Sequence, residues 1–170
     1  MHLRSLVRGA VTAVNRDKLI VWLKSQGPVL FPGGVATPTY APAKPVFAQI
    51  QPLPTDQLAH MEQLNIQGVL RQVYLRNAVA SSVREDGTGG DLLQFPELWT
   101  PEGIRAMTDW VAQSQIPAPG SPSFGAQPVP PAPVKTWRVM QVPEQWDDGC
   151  NVIVRMQSSQ NNAFAAGSTQ

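Results

Sequence analysis

Residues 27–45 read GPVLFPGGVATPTYAPAKP. Prolines at 28, 32, 38, 42 and 45, with Gly33-Gly34 between them, forbid long regular structure there. Each proline fixes φ and removes a backbone donor, and each glycine loosens the chain. The stretch is predicted to be a long hairpin tip or extended loop. Short β-prone runs flank it. DKLIVWLKSQG (17–27) holds Ile20, Val21, Trp22 and Leu23 and closes at Gly27. PVFAQIQ (45–51) alternates, with Val46, Ala48 and Ile50 on one face and Phe47, Gln49 and Gln51 on the other.

The rest of the chain keeps this short rhythm. PTDQLAHMEQL (54–64) reads as a short helix, with Thr55 as N-cap and Leu58, Met61 and Leu64 at helical spacing. A strand is predicted at 68–76, and AVASSVRE (78–85) as its antiparallel partner. DGTGGD (86–91) is a turn, and LLQF (92–95) returns as a strand. TPEGIRAMTDWVAQS (100–114) has Thr100 as N-cap, Pro101 at the first helical position, and Ile104, Met107 and Val111 on one face. The proline-rich 116–135 reads as extended, so 96–135 forms an insertion between strands. The strands 136–146 and 150–157 close the pattern around a turn at Asp147-Asp148-Gly149. The predicted fold is mainly β: a small antiparallel barrel or sandwich with one short helix, a long Pro-rich loop and an inserted helix-plus-Pro-rich segment. The domain is predicted over 1–157, with a loose tail at 158–170; residues 1–14 read as a frayed terminus or a partner-binding arm.

Composition narrows the function classes. With 13 Lys and Arg against 12 Asp and Glu in 170 residues, the formal charge is +1. That balance argues against a strongly electrostatic nucleic-acid binder, because neutralising phosphates needs a basic surface. It also leaves little self-repulsion to keep copies apart. A single cysteine, Cys150, rules out an intrachain disulfide and a multi-cysteine zinc site. The apolar runs near the start are too broken for a secretory signal, and none reaches the roughly 20 residues of a membrane span.

Candidate chemistry is sparse. His2 and His60 read as solvated, and Cys150, opening a strand, as a buried thiol. DGTGGD lacks the GxxxxGK[ST] pattern and the strand-to-helix context of a phosphate loop. Asp147-Asp148 and the group Glu85, Asp86 and Asp91 lack the spacing of a calcium loop and read as solvated turn residues. Trp22, Trp99, Trp110, Trp137 and Trp146 read as packing residues rather than base-stacking ones, because cations near them are few. No enzyme, metal or cofactor is expected.

One set of segments resembles a known family. VNRD (14–17), PTY (38–40), AQIQPL (48–53), LNIQGVLRQVYL (64–75), VREDGTGGDLLQF (83–95), WRVMQVPEQW (137–146) and CNVIVRMQ (150–157) together, in order and spacing, resemble the head-closure or head–tail joining proteins of the tailed-bacteriophage neck. The resemblance implies a small β-barrel in a homo-oligomeric ring. Its partners would be a portal or adaptor protein upstream and a tail terminator or tail tube protein downstream, with DNA passing through without sequence-specific binding. It implies location in the virion neck after assembly in the host bacterial cytoplasm. It implies no reaction chemistry and no cofactor, and a long loop, here 27–45, that docks on neighbours or gates the channel. Two features depart from the family: the long insertion 96–135, and Gly149, where an aromatic is expected. Contacts are expected around Phe31 and Tyr40, and in the insertion near Trp110 and Phe124; ordinary core packing is an equal reading for Tyr40. The rival readings are a single-stranded nucleic-acid-binding barrel with Arg71, Arg76, Arg84 and Arg138 aligned in a groove, another tail component such as a tail-completion or baseplate protein, and a small hydrolase using Cys150 or the acid cluster.

Glutamine gives the strands their remaining peculiarity. In 64–77, Val69, Arg71, Val73 and Leu75 share one face and Leu70, Gln72 and Tyr74 the other, so neither is purely apolar. Glutamine hydrogen-bonds without adding charge, which suits a barrel whose outside also becomes an interface.

Overall fold

The fold was obtained as a computed structural model, and residues 16–30, 34, 36–76, 90–114, 129–147 and 149–157 are described. The elements are β1 (Lys18–Leu23), β2 (Ser25–Leu30), β3 (Ala36–Tyr40), β4 (Lys44–Pro52), α1 (Thr55–Gln63), β5 (Leu70–Leu75), β6 (Leu92–Pro96), α2 (Pro101–Ser114), β7 (Val134–Trp146) and β8 (Gly149–Met156). Six strands close an antiparallel barrel in the order β1-β4-β5-β8-β7-β6, while β2 and β3 form a separate two-stranded ribbon. The predicted mainly-β barrel is therefore the fold, and the sandwich alternative is not.

Period-two alternation decides the inside. Register aligns Ile20 with Val46, Ala48 with Leu75, Val73 with Val152 and Val139 with Val154. These residues are all buried in one cluster. Trp137 and Phe95 complete it, their rings stacked with centroids 4.5 Å apart. The Trp137 indole donates to the Phe95 carbonyl at 3.0 Å, which satisfies its one polar atom inside the core. Each of the valine, leucine and isoleucine side chains contributes about 1.5–3 kcal/mol by leaving water. Eight-stranded barrels already fill their interior with side chains, and six strands enclose less. The interior here is packed core.

Both helices lie against the outside of the wall. α2 packs across β4, β1, β6 and β7, which are consecutive in the barrel. It buries Met107, Val111 and Gly103, one residue per turn. Ile104, expected on this face, is exposed. The Thr100 hydroxyl accepts from the Gly103 amide at 3.2 Å, as its N-cap position predicts. α1 covers β5 and β8, where Met61 packs on Leu70 and Ile153. Its N-cap is Pro54 rather than Thr55, and no side chain caps it. The helix ends where Asn65 takes the left-handed conformation, φ 56°, which asparagine tolerates.

Several expectations need correction. The run 17–27 is not one strand: it breaks at Lys24 into β1, in the barrel, and β2, which leaves it. Within 27–45 the hairpin reading holds and the extended-loop reading does not: residues 27–30 and 36–40 pair as a ribbon, because the prolines there sit where pairing tolerates them, and Lys44–Pro45 already belong to β4. The insertion 96–135 is shorter than expected, since Pro96 belongs to β6 and Val134–Lys135 to β7. The partners of β5 are β4 and β8, and the predicted strand 78–85 lies outside the described residues, as do residues 1–14 and the tail 158–170.

Gly149 has a steric explanation. A Cβ there would lie 2.3 Å from the Leu75 carbonyl oxygen and 3.0 Å from the Trp146 indole nitrogen. No aromatic fits where β8 comes this close to the β5 backbone.

Candidate interaction site: the β2–β3 ribbon

The ribbon's base is held from several directions. Asp91, just before β6, is 2% exposed. Its carboxylate accepts from the Ser25 amide at 2.7 Å and from the Trp22 indole at 3.0 Å. Its own carbonyl accepts from the Val139 amide at 2.9 Å, tying it to β7. One residue thus joins β1, β2 and β7 at the point where the chain leaves the barrel. Burial pushes the Asp91 carboxyl above the ordinary aspartate range; the Ser25 and Trp22 donors and the nearby Lys24 charge oppose that without overcoming it. Across the base, the Ala41 amide donates to the Lys24 carbonyl at 2.8 Å, and the Thr39 hydroxyl to the Gly27 carbonyl at 2.7 Å. Gly27 has φ 89° beside a β-bulge, so a side chain would be strained here.

The two faces of the ribbon differ. Gly27 and Thr39 are buried, whereas Pro28 and Pro38, opposite one another, are exposed. Leu30, two residues beyond Pro28 and so on its face, is 73% exposed. The ribbon's edges are also unusual. Two prolines cannot exchange N–H···O bonds, so Pro28↔Pro38 is a non-hydrogen-bonded pair. Their ring nitrogens therefore face the two open edges. At its centre each edge offers a carbonyl and no donor, the arrangement that blunts edge-on pairing.

A second exposed surface lies on the barrel wall. α2 covers the arc from β4 to β7 and α1 covers β5–β8, leaving the outer seam of β4 and β5 between them. Phe47 is 54% exposed on this seam. Gln49, Gln51 and Tyr74 are half-buried there, and Gln72 is buried. Register sets Gln49 against Tyr74 and Gln51 against Gln72, so the polar positions form cross-strand rows. The Gln49 amide donates to Asp17 at 3.0 Å, and Asp17 also pairs with Arg76.

Of the residues expected to make contacts, Tyr40 and Trp110 are described. Phe31 and Phe124 lie outside the described residues. Tyr40 is half-buried against the core, and its hydroxyl, bonded to Arg138, is raised in pKa chiefly by burial. Trp110 packs on the barrel and donates to the buried Gln94 at 2.8 Å. Trp22, Trp99 and Trp137 join the same cluster, as the packing reading expects. Asp91, expected as a solvated turn acid, is buried instead, and local sequence gives no sign that residue 91 meets residues 22 and 25.

Cys150 is buried and His60 exposed, and His2 lies outside the described residues. Among the described residues no group of three or more His, Cys, Asp or Glu is placed to hold a metal ion. Of the four arginines in the rival nucleic-acid reading, Arg71, Arg76 and Arg138 are described, each with a partner in the protein. Arg71 donates to the Leu70 carbonyl at 3.2 Å, and Arg76 pairs with Asp17. Arg138 binds Tyr40 and, from Nη2 and Nε, the Gln157 side-chain oxygen at 3.1 and 3.0 Å. Arg84 lies outside the described residues. No described helix is long and apolar enough to cross a membrane. No protein-family model and no curated protein matches the sequence.

Proposed function

We propose that this chain is a structural subunit of the tailed-phage neck, forming a ring between portal or adaptor and tail, sealing packaged DNA and joining the tail. The observation that carries the reading is a closed barrel bearing a pinned ribbon with an exposed apolar face. A scaffold that fixes the direction of an arm suits assembly, because the ordering cost of the arm is met before binding. The motif order described above supports the same reading.

In this reading DNA does not pass through the barrel, whose interior is filled by side chains such as Trp137 and Phe95. The channel lies between copies. A formal charge of +1 fits that role, since a strongly basic lining would hold DNA by counterion release and slow its passage. The work is mechanical, and no residue is assigned a catalytic part.

The test is particle assembly with the gene deleted. Full capsids that leak DNA and lack tails are expected. Normal tailed particles would refute the proposal.

A further inference from the structure

Two arginines face each other on the outside of the wall. Register sets Arg138 of β7 directly opposite Arg155 of β8. Trp137, Val139, Val152 and Val154 lie in the core, so alternation turns both arginines outwards. Both are half-buried. Like charges directly opposite one another destabilise a strand pair. No acid occupies a neighbouring position to offset this. Leu92 and Leu70 flank the row, and two residues away along the strands stand Thr136, Met140, Ile153 and Gln157. Asp91 already engages both carboxylate oxygens with Trp22 and Ser25.

The partners that the pair does have leave its charge in place. Arg138 donates to neutral acceptors, the Tyr40 hydroxyl and, from Nη2 and Nε at 3.1 and 3.0 Å, the Gln157 side-chain oxygen. These bonds orient the guanidinium without neutralising it. Arg155 lays its stem over Gly68, where a Cβ would lie 3.6 Å from both Cγ and Cδ. Among the described residues the Arg155 guanidinium has no hydrogen bond or ion pair. A guanidinium carries N–H donors in a fixed fork and no acceptor, so what completes this pair is an anion.

We propose that Arg138 and Arg155 form a binding site for a phosphate group, which bridges the two guanidinium forks. A carboxylate brings two oxygens and one charge, enough for one fork. A phosphate brings further oxygens and up to two charges, and so can meet both arginines at once. Free phosphate and the phosphate of a nucleic-acid backbone share this chemistry. The site is independent of the neck reading and holds whether or not the chain forms a ring.

The test uses the full chain, purified in phosphate-free buffer. Calorimetric titration with inorganic phosphate is expected to show saturable binding. Arg155→Met is expected to weaken it by about tenfold or more, through lost hydrogen bonds to a charged group. Methionine keeps an unbranched stem over Gly68 and removes only the charge. Arg105→Met deletes an equal charge from an exposed position on α2 and is expected to leave phosphate binding unchanged. Melting gives a second readout. Without phosphate, Arg155→Met is expected to melt at or above the wild-type temperature, because the repulsion is gone. Added phosphate is expected to raise the melting temperature of the wild type and not of the variant, since a ligand that binds only the folded state stabilises it. No saturable binding, binding that survives Arg155→Met, an equal loss in Arg105→Met, or an Arg155→Met chain that melts lower without phosphate each overturns the proposal. Competition identifies the source. A DNA duplex that displaces inorganic phosphate supports a backbone phosphate as the ligand, and a duplex that does not displace it supports free phosphate. A polyglutamate peptide that displaces phosphate from the wild type refutes the preference for phosphate.

Discussion

Asp91 is the residue whose replacement reports most directly on how the ribbon is held. In Asp91→Asn the side-chain oxygen can still accept from one donor, but the new amide N–H₂ faces the other. Either the Ser25 amide, now at 2.7 Å, or the Trp22 indole, now at 3.0 Å, loses its acceptor. A partly buried donor left unsatisfied costs about 1–3 kcal/mol, and a hydrogen bond to a charged group contributes about 1.5–3 kcal/mol. Removing the buried charge returns part of this, so the net loss is expected near 2 kcal/mol, measured by chemical denaturation. The pH dependence carries a sign. The folded carboxyl has its pKa raised above that of the unfolded chain, chiefly by burial. Between the two values the folded state holds a proton that the unfolded state has released. Stability contributed by Asp91 is thus greatest at low pH and falls as pH rises through that interval. Asp91→Asn lacks this slope, so its deficit against wild type should narrow from acid towards neutral pH. A deficit that widens with pH would mean that the two donors outweigh burial, and would refute the reasoning. Hydrogen exchange locates the effect: the Ser25 and Ala41 amides should lose protection before the amides of β5 and β8.

Other substitutions test other joints. Gly149→Ala places a Cβ 2.3 Å from the Leu75 oxygen and should cost about 1–3 kcal/mol by thermal melting; a neutral result would mean that β8 shifts freely against β5. Trp110→Phe removes the indole donor that reaches Gln94 at 2.8 Å and should cost about 1 kcal/mol, with α2 amides exchanging faster. Thr100→Ala should cost about 1 kcal/mol through the lost cap, read as fraying of the first turn of α2. Arg76→Ala should change stability by under about 1 kcal/mol, because its pair with Asp17 is half open to solvent.

Much of the barrel was legible in the residues because alternation is a local property. Val46, Phe47 and Ala48 declare two faces wherever the strand lies, and Val46 and Ala48 are indeed the buried pair. Thr100 and Pro101 likewise declare the start of α2 through the geometry of one helical turn. What local chemistry does not contain is which of two similar faces becomes covered. Gln72 reads as a residue for a barrel outside that becomes an interface, yet within this one chain it is already buried beside the strip that α1 covers. The prolines of 27–45 ruled out long elements but left short ones open, and the facing of Pro28 and Pro38 lets a ribbon form around them.

The sequence by itself determined short antiparallel strands, two helices, near-neutral charge and a proline-marked excursion between the first strands. Those follow from backbone propensity and from the period of two, which act over a few residues. Only the tertiary structure decided that Lys24 marks an exit from the barrel, that Asp91 pins the exit from 66 residues away, and that the β4–β5 seam keeps Phe47 in the open. Closure of the barrel brings residues 22, 25 and 91 together, and the placement of two helices decides which stretch of wall remains exposed. Both are long-range packing outcomes, to which no single stretch of chain holds the key.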